Sequence, residues 1–163
     1  MGAGKSTVLH LLKNEFHGYV IMADEIGREL MEPGQACFEK IKEAFGTGVL
    51  GEDGRLDREK LAELVFQDQE KLACLNGIVH PQVKQAVRRE IDEAAESGEK
   101  LVVIEAALLI EEHYDEICDE LWYIYTDEAH RRERLMRSRG YSPEKITEIF
   151  ASQLDEETYR SRC

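Results

Sequence analysis

The chain opens on a glycine-rich run followed at once by a helix pattern, and this run constrains the fold more than any other feature. Gly2-Ala3-Gly4-Lys5-Ser6-Thr7 matches the second half of the phosphate-binding motif G-x-x-x-x-G-K-[ST]. The two glycines let the backbone bend so that successive N–H groups point into one concavity, where phosphate oxygens bind. The motif predicts that Lys5 neutralises the charge of the β- and γ-phosphates and that the Ser6 hydroxyl ligates Mg²⁺. The alternative is a glycine-rich segment that only precedes a helix and binds nothing.

Short apolar runs alternate with longer segments of helical periodicity along the chain, and this alternation is typical of an α/β fold. The near-continuous apolar runs predict parallel strands covered on both faces; they are Tyr19–Ala23, Leu101–Ala106 and Leu121–Thr126. Pro81 is expected to be the first residue of a helix. Asp127 is expected to cap a helix that runs to Arg139, with Gly140 as the residue just past its end, and Ser142 is expected to cap the helix after it. The sequence therefore predicts a parallel sheet flanked by helices.

Composition excludes several functional classes. The 163 residues carry 34 acidic against 21 basic side chains, a formal charge of −13, which argues against binding to nucleic acid or to anionic membranes. No apolar run approaches the roughly 18 residues of a membrane span. The four cysteines form no C-x-x-C pair, so we expect reduced thiols and a cytoplasmic protein. The sequence leaves the oligomeric state open.

Three further features of the sequence are candidates for binding a charged ligand or for proton transfer. Asp24 follows an apolar run, where a carboxylate could accept a proton from a hydroxyl or orient it, or could simply cap the next helix. Five arginines lie within residues 131–139; as a group they suggest a phosphate-facing lid, although ion pairing on a solvated helix explains most single members. His80 could contact a substrate or form a helix cap without chemical function.

These segments, taken in order, resemble the dephospho-CoA kinase family over essentially the whole chain. The matching stretches are GAGKST at 2–7, VIMADEIGREL at 20–30, EPG at 32–34, FGTGVL at 45–50, DGRLDREKLAELVF at 53–66, LNGIVHP at 75–81, ALLIEE at 107–112, RLMRSRGYS at 134–142 and ASQL at 151–154. GKST is shared by many nucleotide enzymes, whereas the combination with DGRLDR and LNGIVHP is specific to this family.

The resemblance implies transfer of the ATP γ-phosphate to the ribose 3′-hydroxyl of dephospho-CoA, with Mg²⁺, on a P-loop fold that has a helical CoA-binding part and a lid at about 127–145. It implies that Gly2, Ala3, Gly4, Lys5, Ser6 and Thr7 bind ATP. It also implies that Asp24 is the base or hydroxyl-orienting residue and that Arg139 stabilises charge on the transferring phosphoryl group. Arg28, His80 and the Leu108–Leu109 segment would lie toward the acceptor.

The chain departs from the family pattern at Met22, where a second Asp is common, at Ala107, where Pro is usual, and at His130, where Gln is frequent. We expect 1–163 to be one P-loop kinase domain lacking the first strand with the first half of the loop, and the C-terminal strand and helix. A parallel sheet without its central first strand leaves its neighbours unpaired. The 163-residue chain alone is therefore expected to be poorly stable and weakly active or inactive.

Two other functions stay open on the sequence. Another small-molecule P-loop kinase, acting on a nucleoside or nucleotide, would share the loop but lack the LNGIVHP and DGRLDR segments. A non-catalytic nucleotide-binding switch or assembly ATPase would need a carboxylate after an apolar strand, for which LVVIE at 101–105 offers a weak match.

Overall fold

A parallel pair of strands organises the middle of the chain in the computed structural model, which describes residues 1–66 and 68–163. Strand β1 (Tyr19–Met22) pairs with β2 (Val102–Glu105), with Tyr19 opposite Val102 and Met22 opposite Glu105. The helices are α1 (Lys5–Asn14), α2 (Ala23–Leu30), α3 (Ala36–Phe45), α4 (Arg58–Phe66), α5 (Gln69–Glu96), α6 (Glu128–Arg139), α7 (Pro143–Ala151) and α8 (Glu156–Arg162). The α/β class and the parallel pairing are confirmed.

The chain groups into two compact units. The sheet unit is Tyr19–Leu108, and the loop unit combines Met1–Gly18 with Leu109–Cys163. The expectation of a single domain over 1–163, with a lid at about 127–145, stays a prediction.

The main core of the sheet unit lies among the helices that follow α2. It is built from Cys37, Ile41, Val49, Leu61 and Val65, each less than a tenth exposed. The first half of α5 packs against this cluster through apolar side chains at helical spacing. Helix α2 is packed on α5 as well, and an added Cβ on Gly27 would lie 3.4 Å from Val83.

Helix boundaries follow the capping residues that the sequence shows. The Asp127 carboxylate accepts a hydrogen bond from the His130 N–H at the start of α6, and Gly140 ends that helix in the left-handed conformation. The Ser142 hydroxyl accepts from the Lys145 N–H at the start of α7. Both predicted helix starts are therefore confirmed.

Pro81 does not begin a helix, so that prediction is wrong. It lies inside the 28-residue helix α5, where it has no N–H to give to the carbonyl of Gly77 one turn earlier. The residues before it, which include Leu72, Leu75 and Ile78, are packed against the core cluster. Their burial holds the helix through the proline, and the capping interpretation of His80 is wrong for the same reason.

Residues 121–126 are irregular and do not form the predicted third strand. A strand is stable only where a neighbour takes its ladder hydrogen bonds. Among the described residues the sheet consists of β1 and β2, and the apolar run of residues 121–126 is not part of it. No helix within residues 1–66 and 68–163 is long and apolar enough to cross a membrane.

Truncation of Ile41 tests the core assignment. Ile41 is fully buried, so Ile41→Ala should lower the free energy of unfolding by about 2–5 kcal/mol, the cost of lost burial and a cavity. The control is Leu11→Ala, at a side chain 47% exposed, which should cost about 0.5 kcal/mol or less. Urea denaturation of both variants measures the difference, and equal costs would contradict the assignment.

Candidate active site

The glycine-rich loop and the start of α1 adopt the geometry that the motif predicts. Gly2 and Gly4 have φ of +79° and +96°, a left-handed conformation that favours glycine. The Gly4 carbonyl accepts hydrogen bonds from the N–H groups of Thr7 at 3.0 Å and Val8 at 3.3 Å. The loop therefore leads directly into the positive end of a ten-residue helix.

The N-terminus of α1 differs from those of α5 to α8. Asp68, Asp127, Ser142 and Asp155 cap α5 to α8 through their side chains, whereas the N-cap residue of α1 is Gly4, which makes no side-chain cap hydrogen bond. The first turn of α1 also contains no acidic residue. An anionic ligand would therefore meet no acidic side chain in the first turn of α1, and the positive end of a helix favours a bound phosphate.

Lys5, Ser6 and Thr7 form this first turn, and all three are exposed. Their backbone and side-chain donors belong to the same turn as the left-handed loop. The described residues contain no group of three or more His, Cys, Asp or Glu side chains that could hold a metal ion. Mg²⁺ at a phosphate loop requires only one or two protein oxygens besides phosphates and water, and the exposed Ser6 hydroxyl fits that requirement.

The arginines of α6 have different partners. Arg131 Nε donates to the Met1 carbonyl at 2.9 Å and Arg134 donates to the Gly2 carbonyl at 3.4 Å. Arg132 pairs with Glu128 at 2.7 Å, as the ion-pair alternative expected. Arg137 and Arg139 lie exposed in the last turn of α6. The cluster is therefore not a uniform phosphate-facing surface.

Positive charge converges on the loop. Burial, together with the positive charges of Arg131, Lys5 and Arg139, lowers the pKa of the Met1 amino group to about 6. Lys5 and Arg139, both predicted to act on phosphate, thus raise the electrostatic potential at the same place. A triphosphate is negatively charged, so the positive potential at the loop attracts it.

Asp24 lies in the first turn of α2, directly after β1. The N-cap of α2 is Met22, so the simple capping interpretation of Asp24 is wrong. Its exposed carboxylate accepts a hydrogen bond from the Ala107 N–H at 3.3 Å, just beyond β2. Asp24 therefore joins the carboxyl ends of the two parallel strands, the edge at which open parallel sheets bind ligands.

The other predicted acceptor residues also belong to the sheet unit. Arg28 is exposed one helical turn after Asp24, so the two side chains share a face of α2. Leu108 follows Ala107 and is 43% exposed. His80 is half-buried in α5, the helix on which α2 packs.

Comparisons with known proteins agree on one family. The family model described as dephospho-CoA kinase matches residues 1–163. A dephospho-CoA kinase of Carboxydothermus hydrogenoformans is 36% identical over 154 residues, which cover 94% of this chain and 74% of that protein. One from Bacillus licheniformis is 39% identical over 163 residues, which cover 99% of this chain and 81% of that protein.

Solved structures share the fold. A crystal structure of a Thermus thermophilus protein has a TM-score of 0.84 and 32% identity, covering 100% of this chain and 81% of that one. A Campylobacter jejuni dephospho-CoA kinase has a TM-score of 0.65 at 22% identity, with the same coverage. The second comparison bears on the fold alone.

Replacement of Gly2 tests the loop. In Gly2→Ala the new Cβ would lie 3.1 Å from the Arg131 carbonyl and 3.3 Å from Leu135 Cγ, so the loop must shift. The affinity for a non-hydrolysable ATP analogue, measured by calorimetry, should fall at least about tenfold, because displaced binding groups lose much of their effect.

Gly34→Ala is the matched control. Its φ of +84° imposes the same left-handed strain, but no heavy atom lies within 4 Å of the added Cβ. Both variants should lose about 1–2 kcal/mol of folding stability, and only Gly2→Ala should lose nucleotide affinity. Equal nucleotide affinity in the two variants would show that Gly2–Thr7 does not bind phosphate.

Proposed function

Because the chain belongs to the dephospho-CoA kinase family, we propose how its own residues perform the reaction of that family. The reaction is the ATP-dependent phosphorylation of dephospho-CoA in coenzyme A biosynthesis. Family membership decides against a nucleoside or nucleotide acceptor and against a switch without catalysis. The roles below are argued from the contacts and exposure of each residue.

ATP binds at Gly2–Thr7 in this proposal. The N–H groups of the left-handed loop and of the uncapped first turn of α1 donate to phosphate oxygens. Lys5 places a compact positive charge on the β- and γ-phosphates. Ser6 would hold Mg²⁺ through its hydroxyl, and the ion, when bound, supplies charge neutralisation to the phosphates.

Asp24 receives the proton of the acceptor hydroxyl or orients that hydroxyl toward the γ-phosphorus. The observation that carries this role is its position at the carboxyl ends of β1 and β2, with one carboxylate oxygen held by the Ala107 N–H. The hydrogen bond fixes the carboxylate while the side chain stays exposed to a substrate. A fixed base avoids the entropic cost of orientation during the reaction.

Arg139 stabilises negative charge on the phosphoryl group during transfer. Its charge reaches the loop, where it acts on the Met1 amino group together with Lys5. A guanidinium stays protonated and can contact two phosphoryl oxygens at once. Hydrogen-bond donors that already point to where negative charge develops in the transition state lower the activation barrier, because they need no reorientation during the reaction.

Dephospho-CoA lies toward Arg28, His80 and Leu108. Arg28 offers a cation on the same face of α2 as Asp24, and Leu108 offers exposed apolar surface beside the Ala107 contact.

We place the enzyme in the cytoplasm, because all four of its cysteines are free thiols in the structure.

Asp24→Asn tests the proton role. Asparagine keeps an oxygen for the Ala107 N–H but cannot take a proton, so kcat for dephospho-CoA should fall about 10²- to 10⁴-fold with little change in KM. Glu25→Gln, at an exposed neighbouring carboxylate of α2, is the control and should keep wild-type kcat. Initial rates of ADP release with dephospho-CoA, against a nucleoside panel, measure both, and an active Asp24→Asn enzyme would exclude the role.

Arg139→Ala tests the stabilising charge. Loss of a donor to the transition state should lower kcat about 10²-fold or more, without an equal loss of stability. Arg137→Ala removes a guanidinium from the same exposed turn of α6 and should retain most of the activity. The same assay checks both variants, and similar rates in the two would leave Arg139 without its proposed role.

A further inference from the structure

Every carbonyl group of residues 1 to 4 accepts a hydrogen bond. The Met1 carbonyl accepts from Arg131 Nε at 2.9 Å, that of Gly2 from Arg134 at 3.4 Å, and that of Ala3 from the Thr126 hydroxyl at 2.8 Å. The Gly4 carbonyl accepts from the N–H groups that begin α1. Three of these four carbonyls are held by side chains that lie more than 120 residues away in the sequence.

These hydrogen bonds to the carbonyls affect how the loop N–H groups are oriented for phosphate binding. A loop whose N–H groups converge on phosphate must direct carbonyls elsewhere, and a carbonyl without a partner costs free energy. Glycine-rich backbone also loses more conformational entropy on ordering than other backbone does. Donors that hold the carbonyls in the free enzyme therefore fix the N–H directions before ATP arrives.

Thr126 is well placed for this function. Its hydroxyl donates to Ala3 and lies 3.5 Å from an Arg134 nitrogen that can donate to it. The side chain is partly buried and carries no charge, so it contributes geometry rather than an electrostatic attraction for phosphate.

Arg131 is immobilised on three sides. Besides the Met1 carbonyl it donates to the Gln153 side chain at 2.6 Å, and its guanidinium lies 4.1 Å from the centre of the Phe150 ring. These partners hold the guanidinium between the loop, α6 and the end of α7. A guanidinium engaged in this way has its donors directed at protein groups, in contrast to the exposed Arg139.

We propose that Thr126 and Arg131, assisted by Arg134, are positioning residues that hold the phosphate loop in its ATP-binding form from the carbonyl side. The proposal rests on the assignment of Gly2–Thr7 as the ATP site and deepens it. The arginines of α6 then divide by function, since Arg131 and Arg134 shape the loop and Arg139 acts on the transferring group. Selectivity for the phosphate end of ATP is set by residues that do not contact it.

Thr126→Val, which keeps the side-chain shape and removes the hydroxyl, tests the proposal. KM for ATP and the dissociation constant of a non-hydrolysable ATP analogue should both rise about tenfold, the effect of one lost buried hydrogen bond. KM for dephospho-CoA should stay unchanged. Thr126→Ser restores the hydroxyl and should return the ATP parameters to near wild type.

Thr147→Val is the matched control, because it removes a threonine hydroxyl that donates to Pro143 and accepts from Arg132 but contacts no carbonyl of the loop, and it should leave ATP affinity unchanged. Wild-type ATP affinity in Thr126→Val, or failure of Thr126→Ser to restore it, would overturn the proposal. An equal rise in both KM values together with a lower melting temperature would do so too, because it would indicate a general structural defect. Analogue binding is measured without acceptor, so a failed acceptor assignment would leave this test intact.

Discussion

The uncapped start of α1 is the constraint on which the loop unit depends. A helix N-terminus needs partners for its free N–H groups, and α5 to α8 obtain them from their own Asp or Ser side chains. The N-cap residue of α1 is Gly4, which has no side chain to offer as a cap, and both Gly2 and Gly4 are left-handed. The first turn of α1 also contains no acidic residue, and in the proposed function a phosphate group serves as the partner of this helix end.

The sheet unit holds the carboxylate of Asp24 in a fixed position without burying it. Parallel pairing brings the ends of β1 and β2 to one edge, and the Ala107 N–H that emerges there donates to Asp24. The Asp24 side chain stays exposed to solvent and to a substrate. A fixed position and an exposed carboxylate are therefore obtained together from backbone geometry.

The elements that sequence alone predicted well are those determined by local chemistry. The glycine-rich turn, the cap at Asp127 and the cap at Ser142 depend on residues a few positions apart, and all appear as expected. The errors arise where distant packing decides. Pro81 stays helical because apolar side chains in the turns before it pack, partly buried, against the core cluster, and the apolar run 121–126 forms no strand. Thr126 was missed for the same reason, because no spacing rule links it to Ala3.

The arginine cluster shows why composition is a poor guide to the role of a single charge. In a chain of formal charge −13, five arginines within nine residues invite one collective explanation. The structure instead gives Arg132 an acidic partner, gives Arg131 a backbone carbonyl and an aromatic ring, and leaves Arg139 exposed. The N–H donors that a guanidinium gives to protein groups are not available to a phosphoryl group, although its charge still contributes to the local potential. In the proposed function helix α6 therefore serves two needs of the same loop, since its first turns shape the backbone and its last turn supplies a cation to the ligand.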